Sequence, residues 1–210
     1  AIVLSALVLI LYSIFFAPPL PNLNEQKNNI AKTSDTTNDT NISSPSIEKK
    51  PESKNISRSE ALNLNDRVKL ENNNIIGSIS LKGAIIDDLT FKKYTTELNS
   101  DQKITLLNPQ SAKEGYYVET GWSSTDKNIE LPSNSSIWTV KGNNKLTPNN
   151  HLILEWINKQ GIVFTNTFQL DENYLIKLNQ KIENKSDSIV DFYPYAQITR
   201  NIKPEVTNFY

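Results

Sequence analysis

Hydrophobic positions fall into three regimes along this chain. Residues 1–17, AIVLSALVLILYSIFFA, form one apolar run without a charge or a proline. A membrane-spanning helix needs about 20 apolar residues to cross roughly 30 Å of hydrocarbon, so the run predicts a transmembrane anchor over residues 1–20. Tyr12, Phe15 and Phe16 lie toward its outer end, where aromatic rings favour the interface, and Pro18, Pro19 and Pro21 stop the helix. A cleavable signal peptide is the competing reading. Its candidate site, Phe15-Phe16-Ala17, has Phe where a small residue is required. A buried soluble helix is the third reading. No basic residue precedes Lys27, which puts the downstream side on the non-cytoplasmic face by the positive-inside rule.

The second regime, residues 21–65, is Asn, Ser, Thr, Lys and Glu with isolated Ile. Such a segment buries too little apolar surface to offset the entropy of ordering its backbone, so a disordered linker is expected. A flexible chain of that length spans roughly 35–40 Å root-mean-square. Asn-x-Ser/Thr triplets at Asn38, Asn41, Asn55, Asn134 and Asn184 are read as coincidences of an Asn-rich chain.

In the third regime, residues 66–210, short β-branched and aromatic runs alternate with turn signals, as in an all-β sandwich or barrel. VKLE, Asn72-Asn73-Asn74 and IIGSISL read as strand, turn, strand; Lys82-Gly83 leads into AIIDDLTF, with Ile85, Leu89 and Phe91 on one face. LILEWI, IVFTNTFQL and YLIKLNQKIEN follow, separated by Lys159-Gln160-Gly161 and Asp171-Glu172-Asn173. In the last of these Tyr174, Ile176, Leu178 and Ile182 alternate with Lys177, Asn179, Lys181 and Glu183, which is half-buried antiparallel sheet. IVDFYPYAQIT adds a fourth strand to an expected meander, and Pro194 assigns it an edge or a bulge. Between residues 108 and 150 only YYVETGW and SIWTV read as strands.

Composition narrows the function classes. Lys and Arg number 22 against 23 Asp and Glu, a formal net charge of −1, so a polyanion such as nucleic acid is not an expected partner. Cys is absent, which excludes a disulfide scaffold or thiolate metal site. Met is absent, the chain starts inside an apolar run, and Asn208-Phe209-Tyr210 carries no closing signal, so a fragment with a C-terminally incomplete β-domain is expected.

No catalytic constellation stands out. His151 is the single histidine and follows Asn149-Asn150 in an expected surface turn, so no histidine-rich metal site can form within the chain. Asp87 and Asp88, as strand neighbours, point to opposite faces and converge only if the strand is bulged. Glu114, Glu119, Asp171 and Glu172 lie in or near loops without acid–base spacing. Trp122, Trp138 and Trp156 are read as core or loop anchors, with a ligand groove as the alternative. Catalytic, cofactor-binding and metal-binding residues are accordingly none, and no cofactor is expected.

The wording of several strands is more specific than their pattern. Residues 161–200 carry Thr167-Phe168, an acidic turn, Asn173-Tyr174, Tyr193-Pro194-Tyr195 and Arg200 in an order that resembles the first periplasmic domain of the bacterial YidC membrane protein insertase family. Residues 77–89, residues 116–122 and the Phe-rich, Pro-terminated anchor agree. The resemblance implies an antiparallel β-supersandwich of the galactose mutarotase type, held in the periplasm by an inner-membrane anchor. It also implies a non-enzymatic insertase and chaperone whose partners are the Sec translocon with its accessory subunits, nascent membrane proteins and the lipid bilayer. The sugar chemistry of the mutarotase fold needs two histidines and does not carry over. A single-span β-sandwich binding carbohydrate or protein is the alternative.

Overall fold

The structure is a computed structural model and describes residues 56–203. The expected anchor and the linker through residue 55 lie outside the described residues. Among those described, no helix is long and apolar enough to cross a membrane.

Order begins earlier than the polar composition predicts. A short helix, α1 (Arg58–Leu62), occupies part of the segment assigned above to the linker. Ser57 and Glu60 form a reciprocal capping box, Ser57 N donating to Glu60 Oε2 at 2.9 Å and Glu60 N to Ser57 Oγ at 3.3 Å, which satisfies two otherwise orphaned amides. Ala61 is buried, and Ile56 bridges to Ala112. Residues 56–65, placed above in the expected linker, include this ordered helix. Ile56, Arg58 and Ala61 hold this segment through tertiary contacts that composition does not reveal.

Eleven strands follow: β1 (Arg67–Glu71), β2 (Ile75–Ser80), β3 (Ile86–Thr95), β4 (Lys103–Leu107), β5 (Tyr116–Ser124), β6 (Thr139–Lys141), β7 (Lys145–Leu146), β8 (Leu152–Ile157), β9 (Ile162–Leu170), β10 (Ile176–Asn184) and β11 (Phe192–Arg200). They make two sheets. One has the order β11-β5-β3-β2-β1-β7 with β4 also on β3, and the other has the order β10-β9-β8-β6. All pairs are antiparallel except β1 with the two-residue β7. The expected four-strand meander stops at three. β11 crosses to the other sheet and pairs with β5 from Phe192↔Ser124 to Arg200↔Tyr116, where Pro194 sits on an edge strand as its missing N–H requires. β7, only two residues long, is too short to carry a readable pattern.

The sheets face each other across one apolar core. Val68, Leu70, Ile75, Ile79 and Leu89 meet Leu152, Leu154, Ile162, Phe164 and Phe168 from the opposite sheet. Trp122 stacks on Trp138 with centroids 6.3 Å apart and reaches Phe164 at 5.1 Å. Polar staples join the same layers at one end. Asn72 Nδ2 donates to the carbonyls of Asp171 and Asn173 at 2.7 and 2.9 Å, and Asn74 Nδ2 donates to that of Glu172 at 2.8 Å. The Asn-rich β1–β2 turn thus clamps the β9–β10 turn.

Two glycines separate packing from backbone strain. A Cβ on Gly77 would fall on the backbone carbonyl of Asp88 in the neighbouring strand, whereas Gly161, at φ +82°, has open space around it. Gly77→Ala is expected to cost about 3 kcal/mol through overpacking, and Gly161→Ala about 1 kcal/mol through its left-handed backbone. Urea unfolding followed by tryptophan fluorescence checks the order; equal losses would contradict it.

Candidate functional site

The β2–β3 ladder pairs Ser78 with Asp88 but Ile79 with Ile86, leaving Asp87 as the extra residue of a β-bulge. The bulge condition stated for these carboxylates is therefore met, and both are buried. They converge on two arginines. Arg67 of β1 forms an ion pair with Asp87, and Arg58 of α1 forms one with Asp88. Ser78 links the pairs, its Oγ donating to Asp88 Oδ2 at 2.6 Å and accepting from Arg67 Nε at 2.7 Å. Arg58 Nε also donates to Asn108 Oδ1 at 3.0 Å. Sequence reasoning singled out neither arginine. The missing signal was the fold, since residues 20 and 30 positions apart meet only after β1, β3 and α1 assemble.

Electrostatics make this cluster structural. Burial pushes the Asp87 carboxyl above the usual carboxylate range; the Arg67 guanidinium opposes that rise and the Asp88 charge adds to it. Each carboxylate has its own cation, and the Arg67–Asp87 side chains are only 10% and 7% exposed. A glycosidase pair must instead hold two carboxyl groups on either side of a substrate. Here the space is filled by guanidinium groups.

The other candidates are dispersed. His151 is exposed just before β8, and Glu114 and Glu172 are exposed. Asp171 caps its own turn, accepting from Asn173 N at 2.9 Å and Leu175 N at 2.8 Å. Trp122 and Trp138 are core residues, and Trp156 is partly buried against Phe164 at 5.6 Å. The aromatic groove of the alternative reading is not formed. Among the described residues no group of three or more His, Cys, Asp or Glu side chains is placed to hold a metal ion. Glu119 differs from the rest. It is half-buried on β5, and burial alone pushes its pKa up. It lines a cleft with Trp138 and Tyr195.

Comparison with known proteins gives one consistent family. The YidC periplasmic domain family matches residues 67–210. A membrane protein insertase YidC of Pelagibacter ubique is 49% identical over the whole chain, which covers 37% of that relative. A membrane protein insertase YidC of Beijerinckia indica is 34% identical over the whole chain, covering 36% of it. One of Mesorhizobium japonicum is 36% identical over 73% of the chain and 26% of the relative. The chain thus spans little more than a third of the length of the curated relatives it matches.

The buried network predicts an asymmetry between single and paired substitutions. Asp87→Asn strands the Arg67 guanidinium and is expected to cost about 3 kcal/mol or more, while Arg67→Met combined with Asp87→Asn recovers at least half of that loss. Urea unfolding of Asp87→Asn, Arg67→Met and the double variant checks this; additive losses would show that the two side chains do not act as a pair.

Proposed function

The chain belongs to the YidC membrane protein insertase family, and on that premise we propose that it is the anchor and periplasmic accessory region of an insertase that assists insertion and folding of inner-membrane proteins. The observation carrying this reading is the match to the YidC periplasmic domain family across residues 67–210, joined to a membrane protein insertase YidC that is 49% identical over the whole chain. The apolar run at residues 1–17 supports an inner-membrane tether, with the β-domain in the periplasm. The two-sheet core supports a β-supersandwich of the galactose mutarotase type. In this reading the partners are nascent membrane proteins, the lipid bilayer and the Sec translocon with its accessory subunits.

No covalent chemistry is assigned to the domain, because its buried carboxylates are neutralised by Arg58 and Arg67. The carbohydrate-binding alternative loses its main support, since Trp122 and Trp138 are 5% and 2% exposed and offer no stacking platform.

The test uses the full-length insertase that carries this region, expressed in cells depleted of their own. It should restore membrane insertion of a Sec-independent substrate, and protease added to spheroplasts should digest the domain from outside. Failure to restore insertion, or protection of the domain in spheroplasts, would contradict the proposal.

A further inference from the structure

The β3–β4 hairpin and the β9–β10 turn meet through three aromatic rings. Phe91 lies 5.7 Å from Tyr94 and 5.9 Å from Tyr174, centroid to centroid, and the two tyrosines are 6.5 Å apart. Phe91 packs on the core, whereas both tyrosines are exposed, and a hydrogen bond between their phenols raises the pKa of Tyr174. The backbone on either side is held. Thr96 N donates to Gln102 O at 2.9 Å and Ser100 N to Glu97 O at 3.3 Å, with Asn99 left-handed at φ +65°. Leu98 is thereby left at the hairpin tip, 94% exposed. On the other loop, the Asn72 and Asn74 staples fix the β9–β10 turn, where Leu175 is 63% exposed.

Large apolar side chains gathered on neighbouring loops mark a contact surface. Charge attraction is not what this one offers: Lys93, Lys103 and Lys177 are balanced by Glu97, Asp101 and Glu172, all exposed. Leucine beside tyrosine phenols is the chemistry of the membrane–water interface, where the apolar body leaves water and the hydroxyl stays among the headgroups. The chain itself brings a bilayer within reach. The apolar run at residues 1–17 precedes the described residues, and a flexible polar stretch as long as residues 18–55 spans only about 35 Å root-mean-square. Such a tether gives roughly millimolar effective concentration, so that even a weak, shallow contact is populated.

On the reading of residues 1–17 as an anchor, we propose that Tyr94, Leu98, Tyr174 and Leu175 rest on the outer leaflet of the membrane that holds the chain. Leu98 and Leu175 enter the upper acyl region, and the two phenols stay at the headgroups. Binding of this kind scales with the apolar area buried, so two leucines and two tyrosines orient a tethered domain without anchoring it by themselves. A lipid surface needs no matching shape, which suits a patch divided between two loop tips. The contact turns one end of the sandwich to the bilayer. The β8–β9 turn, at the other end of β9 from the β9–β10 turn, then points away from it.

The test uses the full chain in lipid nanodiscs of phosphatidylethanolamine and phosphatidylglycerol, one chain per disc. Cys is absent from the sequence, so one introduced cysteine carries a fluorophore at a single place: Thr96→Cys beside the patch, or Lys159→Cys in the β8–β9 turn. Lipids with a nitroxide high on the acyl chain should quench the probe at residue 96 at least three-fold more than the probe at residue 159. About 0.5 M NaCl should leave that ratio unchanged. Leu98→Ser combined with Leu175→Ser should bring the ratio close to one while the melting temperature stays within about 2 °C, since both side chains are exposed. Equal quenching at the two positions, a ratio that collapses in salt, or one that survives the double substitution would overturn the proposal. Equal quenching together with dimers in detergent that the double substitution splits would assign the patch to a second copy instead. A chain that the discs do not retain would overturn the anchor reading and this proposal with it, whereas retention with equal quenching overturns this proposal alone.

Discussion

The extra residue at Asp87 is the constraint on which the sheet and its N-terminal helix both depend. A regular β3 would send Asp87 and Asp88 to opposite faces and put one carboxylate into the apolar core. The bulge keeps both away from the core leucines and phenylalanines and beside Arg67 and Arg58. An ion pair buried this deeply does not by itself stabilise a fold, because desolvation cancels most of the Coulomb gain. Its consequence is specificity. Only one register of β2 against β3 pairs Ser78 with Asp88, and only one placement of α1 brings Arg58 to the same carboxylate. Glu71 repeats the logic on a more exposed scale, accepting from Lys92 of β3 at 3.1 Å and from Lys145 of β7 at 3.0 Å.

Strand periodicity made the centre of the fold legible. β1, β2, β5, β8, β9 and β10 are marked by alternation and turn residues, and the alternation in β10 predicts the face that packs on the core. Contacts remote in sequence were not legible. α1 is mostly polar, and it is tied to the domain by buried Ala61, the Arg58–Asp88 pair and the Arg58–Asn108 hydrogen bond. The crossing of β11 to the other sheet is equally invisible in its own residues. A meander and a crossover both begin with a turn, and the choice is settled by the long ladder with β5.

The site followed the same division. Asp87 and Asp88 stood out as a pair, with the bulge as the stated condition, but the arginines that neutralise them did not. Trp122 and Trp138 lie in the core as expected, and Trp156 is partly buried against it. Glu119 carries no signal in its spacing; it is half-buried on β5 just past the point where β3 stops accompanying that strand. Such a gap arises from sheet topology, and no local motif records it. The sandwich carries buried carboxylates neutralised by arginines, and the relatives of its family extend well beyond this region.

The bulge network fastens α1 to the sheet through Arg58. Amide hydrogen exchange of the chain with Asp88→Asn tests it most directly. Ala61 and Asn63, whose amides bond to Ser57 O and Glu60 O, should exchange at least ten-fold faster, while the β9 amides keep their protection within about two-fold. Unchanged exchange in α1, or an equal loss across β9, would contradict the account.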